Sequence, residues 1–233
     1  MNKIVGFSNK ERNELFFEAA SKMGVAPVII EKDFWVTWIL GKIFKDPILS
    51  NIFIFKGGTS LSKVFHIIER FSEDIDLILD WSLVTKENPL IERSKTKQDI
   101  FNKEINKNAQ IYIDNKILHQ EAHRPEGKIQ PARYSRHYYD LARLAESPIK
   151  NIALKHIEML ETVANFKQKF YPCNWAYYHT ALPKTLKLIP EDRVLYSLEK
   201  DYKKMHPMFF GKYPKFEYII KTIQSLENEI NNM

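Results

Sequence analysis

Apolar residues that recur every three or four positions predict two helices at the start of the chain. The first covers residues 9–23 and ends at Gly24, and the second covers residues 28–40. The side chains predicted to pack inward are Leu15, Phe16, Ala19, Ala20 and Met23 in the first helix and Phe34, Trp35, Trp38 and Ile39 in the second.

The apolar period changes to two in the next part of the chain, which predicts strands. A short run at Ile54-Phe55 precedes Gly57-Gly58, and a second run covers residues 74–79. Between them we expect a glycine turn and a helix opened by Thr59 or Ser60. Since alternate residues of a strand share a face, Asp74 and Asp76 should lie on one side and the apolar residues between and after them on the other, in the core.

The remaining chain is predicted to be mostly helical, which gives an α+β protein. A small mixed sheet with flanking helices should occupy residues 1–113, and a helical domain residues 114–233. The other predicted elements are a loop over 80–97, a helix over 98–109, a short strand over 111–113, and helices over 133–144, 149–170, 191–205 and 215–231.

Composition narrows the class of protein only modestly. Hydrophobic residues make up 44% of the 233 positions, which is ample for a packed core. A net charge of +6 weakly favours an anionic partner such as nucleic acid. With one cysteine, Cys173, no apolar run long enough to cross a membrane and no secretory leader, we expect a cytoplasmic protein without an intrachain disulfide.

The glycine turn and the acidic strand together predict a nucleotide site. Glycines allow the backbone to approach a ligand closely, and exposed amides can bind phosphate oxygens. Mg²⁺ takes one or two carboxylates and completes its shell with phosphate and water, so Asp74 and Asp76 are the predicted metal ligands. Either feature alone is common in proteins without such a function, but their order along the chain is more specific. Lys63 and Ser72 are predicted phosphate neighbours, although Ser72 also suits a turn.

Residues 56–62 and 70–77 resemble the motif of the AbiEii/AbiGii toxin-type nucleotidyltransferases, relatives of the MenT toxins in the DNA polymerase β-like superfamily. The resemblance implies a nucleotidyltransferase-type sheet and Mg²⁺-dependent transfer of a nucleoside monophosphate from an NTP to an acceptor hydroxyl. The amides of Gly57, Gly58 and Thr59 and the side chain of Ser60 would orient the β- and γ-phosphates. Some members of the family modify the 3′ end of tRNA, so tRNA and a cognate antitoxin are the implied partners.

A second motif lies at residues 136–141, where Arg136 and Asp140 share a helical face. The two could simply form a solvent-exposed pair worth about 0.2–0.5 kcal/mol. The resemblance implies instead that Asp140 completes the acidic site, with Arg136 near the nucleotide. The resemblance also implies a functional lysine just before the run at residues 117–119. Its place falls on Asp114 here, and Lys116 lies two positions later.

Cations alternate with aromatic residues after residue 150, a composition suited to RNA, although core packing accounts for most of these rings. The residues are Lys155, His156, Lys167, Lys169 and Lys184 with Tyr171, Trp175, Tyr177 and Tyr178. Two alternatives to tRNA modification stay open at this point: nucleotide transfer to a protein hydroxyl, and a catalytically inactive module that binds nucleotide or RNA.

Overall fold

The computed structural model divides into two compact units, Met1–Asp114 and Asn115–Met233. The residues that it describes are 1–47, 49–72, 74–79, 91, 93–94, 96–97, 123, 125, 127, 131–170 and 172–233. The predicted helix at 98–109, the predicted strand at 111–113, Lys116 and most of the predicted loop at 80–97 lie outside the described residues.

The first unit opens with helices whose ends follow from local sequence. They are α1 (Asn2–Val5), α2 (Asn9–Met23) and α3 (Pro27–Ile43). A capping box between Ser8 and Glu11 begins α2, and Gly24 ends it in the left-handed conformation with a φ of 67°. Pro27 begins α3, where its missing N–H is not needed. The predicted helix at 9–23 is therefore confirmed.

The predicted inward face of α3 is wrong. The buried residues of this helix are Ile29, Val36 and Leu40, whereas Ile39 is exposed and the three aromatic side chains are half-buried. The apolar residues of this helix lie on nearly all of its faces, so their spacing does not define one buried face. On α2, Phe16 and Ala20 are buried as predicted, but Leu15 and Met23 are exposed.

Two short helices alternate with the two strands of the sheet along the chain of the same unit. Its elements follow in the order α4 (Leu49–Ile52), β1 (Phe53–Lys56), α5 (Gly57–Lys63) and β2 (Asp76–Leu79). The two strands are antiparallel, with Phe53 opposite Leu79 and Lys56 opposite Asp76. Together with the helices, this sheet confirms the α+β class.

Two sequence boundaries in this segment are wrong, and both errors have one cause. The chain enters α5 at Gly57, immediately after β1, so the helix begins two residues before Thr59. Because β1 ends at Lys56, the ladder has no partner for residues before Asp76. Asp74 therefore precedes the strand instead of lying on it.

The second unit is helical in its described part. The helices are α6 (Ser135–Glu146), α7 (Ile149–Lys155), α8 (Glu158–Phe170), α9 (Asp192–Lys204) and α10 (Phe216–Asn231), with short 3₁₀ turns at Asn174–Ala176, Tyr178–Thr180 and His206–Met208. Helix α6 packs against α9 and α10, and its Tyr138 is fully buried together with Leu198 and Ile219. The described helices include none with the length and apolar character needed to cross a membrane.

The single helix predicted over 149–170 is wrong, because the chain breaks into α7 and α8 around His156. Lys155 lies at the end of α7 and Glu158 at the start of α8. Each charge complements the helix terminus on which it lies, which favours the break. In the described part of α8, Ala164 and Lys167 are buried, whereas Val163 and Phe166 are exposed.

Helix α6 begins without a cap from its own sequence, and Asp201 of α9 supplies one. The Asp201 carboxylate accepts hydrogen bonds from the backbone N–H of Arg133 at 2.7 Å and of Ser135 at 2.9 Å. It also accepts one from the Ser135 hydroxyl at 2.7 Å, and Ser135 is fully buried. This carboxylate therefore fixes α6 against α9.

We expect Asp201→Ala to lower the free energy of unfolding by about 2 kcal/mol or more, since it removes the acceptor for three donors, two of them on the buried Ser135. Denaturant unfolding of the full chain measures this. Lys204→Ala, an exposed change in the last turn of the same helix, should stay within about 0.5 kcal/mol of the wild type. A similarly small effect of Asp201→Ala would contradict the role given to this cap.

Candidate functional site

The register of the sheet brings an acidic side chain to the glycine turn. Lys56 is the last residue of β1 and lies opposite Asp76, the first residue of β2. Gly57 follows Lys56 directly, so the Asp76 carboxyl group lies beside the backbone of Gly57. The strand pairing itself thus joins two of the predicted site residues.

Gly57 is required at its position for two independent reasons. Its φ is +78°, a conformation that residues with a Cβ adopt at a cost. A Cβ placed on it would also lie 1.9 Å from the Asp76 Oδ2 atom and 2.9 Å from the Asp76 Cβ atom. The carboxyl group therefore fills the space that any side chain at residue 57 would occupy.

Gly58 makes a similar close approach on another side of the turn. Its Cβ position would lie 2.7 Å from the Arg70 Nη2 atom and 3.1 Å from the Ser72 Oγ atom. The segment before β2 thus packs directly on the second glycine. Ser72, a predicted phosphate neighbour, lies in the turn region, and Arg70 is a neighbour that the sequence analysis missed.

The hydroxyl groups of the two residues after the glycines donate hydrogen bonds to nearby backbone carbonyls. The buried Thr59 donates a hydrogen bond to the Asp74 backbone carbonyl, which ties the start of α5 to the residues before β2. The buried Ser60 donates to the Gly57 carbonyl at 2.8 Å. The Ser60 hydroxyl thus stabilises the turn, and its contact with phosphate stays a prediction.

The two predicted metal ligands have different environments. Asp76 is half-buried against Gly57, whereas Asp74 is exposed and linked to α5 through its carbonyl. Within the described residues, no group of three or more His, Cys, Asp or Glu side chains could hold a metal ion alone. Two carboxylates beside a glycine turn nevertheless fit Mg²⁺, whose other ligands come from phosphate and water.

Lys63 lies at the far end of α5 from the glycines and forms an ion pair with Asp33 of α3. Both side chains are about two-thirds buried, with exposures of 29% for Lys63 and 27% for Asp33. The pair joins α3 to the helix that follows the glycine turn. The predicted contact of Lys63 with phosphate stays a prediction.

The other predicted site residues lie in the second unit. Arg136 and Asp140 are half-buried on α6, one turn apart. Their participation in the site stays a prediction.

The predicted RNA-contacting residues differ in accessibility. Lys167 and Tyr178 are buried, so packing in the second unit accounts for them. Tyr177 is 49% exposed with a left-handed φ of 45°, and its ring lies 5.0 Å from that of His123. Tyr171 lies outside the described residues.

The half-buried carboxylate, the polar turn and the close-packed glycines are the features from which the nucleotide site was predicted, and that site stays a prediction. Residues 38–135 match the family described as the nucleotidyl transferase AbiEii toxin of a type IV toxin–antitoxin system. The match spans 98 of the 233 residues and includes the glycine turn, Arg70, Ser72, Asp74 and Asp76. This stretch is thus similar to the AbiEii family, which confirms the predicted resemblance and supports the nucleotidyltransferase class.

Asp140 lies five residues beyond the matched range. Neither the search of curated proteins nor the search of solved structures returned a match. The family implies an NTP substrate and a cognate antitoxin for a toxin of this type.

We expect Gly57→Ala to lower the free energy of unfolding by more than about 2 kcal/mol, because it adds a clash with Asp76 to an unfavourable φ. Denaturant unfolding of the full chain measures the change. Circular dichroism of the same samples shows whether the fold survives.

Two control glycines separate the clash from the backbone strain. Gly24 has a φ of +67° and no atom within 4 Å of its Cβ position, so Gly24→Ala should lose only about 1–2 kcal/mol. Gly41 lies inside α3 with the same open space, so Gly41→Ala should gain about 0.5–1 kcal/mol. Equal losses for Gly57→Ala and Gly24→Ala would show that the Asp76 contact adds nothing.

Proposed function

We propose that this protein is a Mg²⁺-dependent nucleotidyltransferase that moves a nucleoside monophosphate from an NTP to a hydroxyl group at the 3′ end of tRNA, as the toxin of a toxin–antitoxin or abortive-infection system. The observation that carries the proposal is the contact between the Asp76 carboxyl group and Gly57. A carboxylate, the kind of group that binds Mg²⁺, lies beside the backbone of the glycine turn, and this proximity supports the proposal. The AbiEii match over the same residues supports the assignment.

The proposed reaction is an in-line displacement at the α-phosphorus. The acceptor oxygen forms a bond to the α-phosphorus, the bond from that phosphorus to the bridging oxygen breaks, and pyrophosphate leaves with its electron pair. Asp140 is proposed to take the proton of the attacking hydroxyl or to complete the acidic site. Arg136, one turn before it on α6, is proposed to contact the nucleotide.

The residues of the first unit would hold the donor nucleotide. Asp74 and Asp76 would hold Mg²⁺, which would offset the charge that develops on the phosphate oxygens. The backbone of Gly57 and Gly58 would approach the leaving β- and γ-phosphates. Thr59 and Ser60 would keep this turn in place, since their hydroxyl groups already bond to backbone carbonyls within it.

The tRNA acceptor is proposed from the family resemblance, and two features of this chain support it. The net charge is +6, which favours a polyanionic partner. Exposed Tyr177 and the exposed Lys184 offer a π-face and a cation to a single-stranded RNA end. A membrane has no part in this proposal.

Incubating the full chain with each α-labelled NTP, Mg²⁺ and total RNA tests the function. Label on tRNA is the expected result, and it should disappear when EDTA removes the metal. Label on polypeptide would instead favour the modification of a protein hydroxyl. Absence of any turnover, in the presence of measurable nucleotide binding, would favour an inactive binding module.

We expect Asp74→Ala and Asp76→Ala each to reduce label transfer by about a hundredfold or more, because loss of a metal ligand removes several kcal/mol of transition-state stabilisation. The initial rate at saturating NTP measures this, with circular dichroism to verify folding. Asp192→Ala, an exposed aspartate in the first turn of α9, serves as the matched control and should retain the wild-type rate. Full activity of either site variant would exclude that residue as a metal ligand.

A further inference from the structure

Buried polar side chains concentrate around the glycine turn. In the described part of the chain, six polar or charged residues are buried, and four of them belong to the turn and the segment packed on it. The four are Thr59, Ser60, Arg70 and Ser72. Arg70 is the only charged residue among these four and is 2% exposed.

The guanidinium group of Arg70 lies beside the glycine turn. Its Nη1 atom donates a hydrogen bond to the Phe71 carbonyl at 3.0 Å. Its Nη2 atom lies 2.7 Å from the Cβ position of Gly58, so the guanidinium group packs against that glycine. The Ser72 hydroxyl, 3.1 Å from the same position, lines the same side of the turn.

Burial of a guanidinium group is unfavourable for folding unless other interactions compensate. An arginine remains charged at all physiological pH values, so it cannot lower this cost by losing its proton. An apolar side chain of similar volume would often serve stability as well or better. The guanidinium group therefore keeps a permanent positive charge directly beside the second glycine of the turn.

We infer that Arg70 is a positioning residue of the nucleotide site, which holds the Gly57-Gly58 turn in place through Gly58 and favours the negative charge of a triphosphate tail bound there. The inference rests on the proposed function, because it takes the NTP as the ligand of this turn. The phosphate tail of an NTP carries more negative charge than that of an NMP. A fixed cation beside the turn should therefore favour the binding of NTP over the binding of NMP.

The test compares Arg70→Gln with Arg70→Lys in the full chain. Equilibrium dialysis in Mg²⁺ measures the dissociation constants of the four α,β-methylene nucleoside triphosphates and of the four monophosphates. For the base that the wild type prefers, Arg70→Gln should weaken triphosphate binding by about tenfold or more and change monophosphate binding by less than about twofold. Arg70→Lys keeps the charge and should recover part of the lost affinity.

A merely structural role would give a different pattern. In that case Arg70→Gln would lower the affinities for the triphosphate and the monophosphate by the same factor. Arg70→Lys would then not restore the preference for the triphosphate. Either that result or unchanged triphosphate binding by Arg70→Gln would overturn the inference while leaving the proposed function intact. A wild-type chain that binds no triphosphate would overturn the proposed function itself.

Thermal unfolding of each variant shows whether its fold survives. If Arg70→Gln does not fold, Arg70→Met supplies the neutral side chain, since it fills a similar volume without unsatisfied polar atoms. The same ratio of triphosphate to monophosphate affinity then decides the inference.

Discussion

The contact between the Asp76 carboxyl group and the backbone of Gly57 is the constraint on which the first unit depends. It exists because Lys56 and Asp76 are opposite each other in the sheet, so the residue after Lys56 must accommodate the acidic side chain. Only a residue without a Cβ fits there, and the positive φ imposes the same requirement. One cross-strand pairing thus determines the position of both the turn and the carboxylate.

Other contacts keep this arrangement rigid. Thr59 connects the start of α5 to the Asp74 carbonyl, and Lys63 at its end pairs with Asp33 on α3. The short helix after the turn is therefore held at both ends by contacts with other parts of the same unit. In the second unit, Asp201 similarly fixes the start of α6, the helix that carries Asp140. Residues proposed to react are thus supported by hydrogen bonds and an ion pair within their own unit, as preorganised sites require.

Much of this arrangement could be predicted from the sequence, and the errors have physical reasons. The order of glycines and aspartates indicated the turn, because that order reflects local backbone requirements, and it also carried the family resemblance. The strand boundary at Asp76 could not be predicted, since it depends on where the partner strand ends. Arg70 was missed because burial of a charged residue depends on tertiary packing, although its place two residues before Ser72 in the quoted motif was a usable signal. The prediction of the buried face of α3 was wrong because the apolar residues of that helix lie on nearly all of its faces.

The central claim is that the glycine turn and the two aspartates form one site for a metal–triphosphate complex. A crystal structure of the full chain grown with Mn²⁺ and an α,β-methylene nucleoside triphosphate tests it most directly, because anomalous scattering locates the ion independently of the nucleotide. The account predicts the ion bonded to carboxylate oxygens of Asp74 and Asp76, with the phosphate tail against Gly57 and Gly58. An ion and a nucleotide bound elsewhere in the chain, with both carboxylates bearing no ligand, would contradict it.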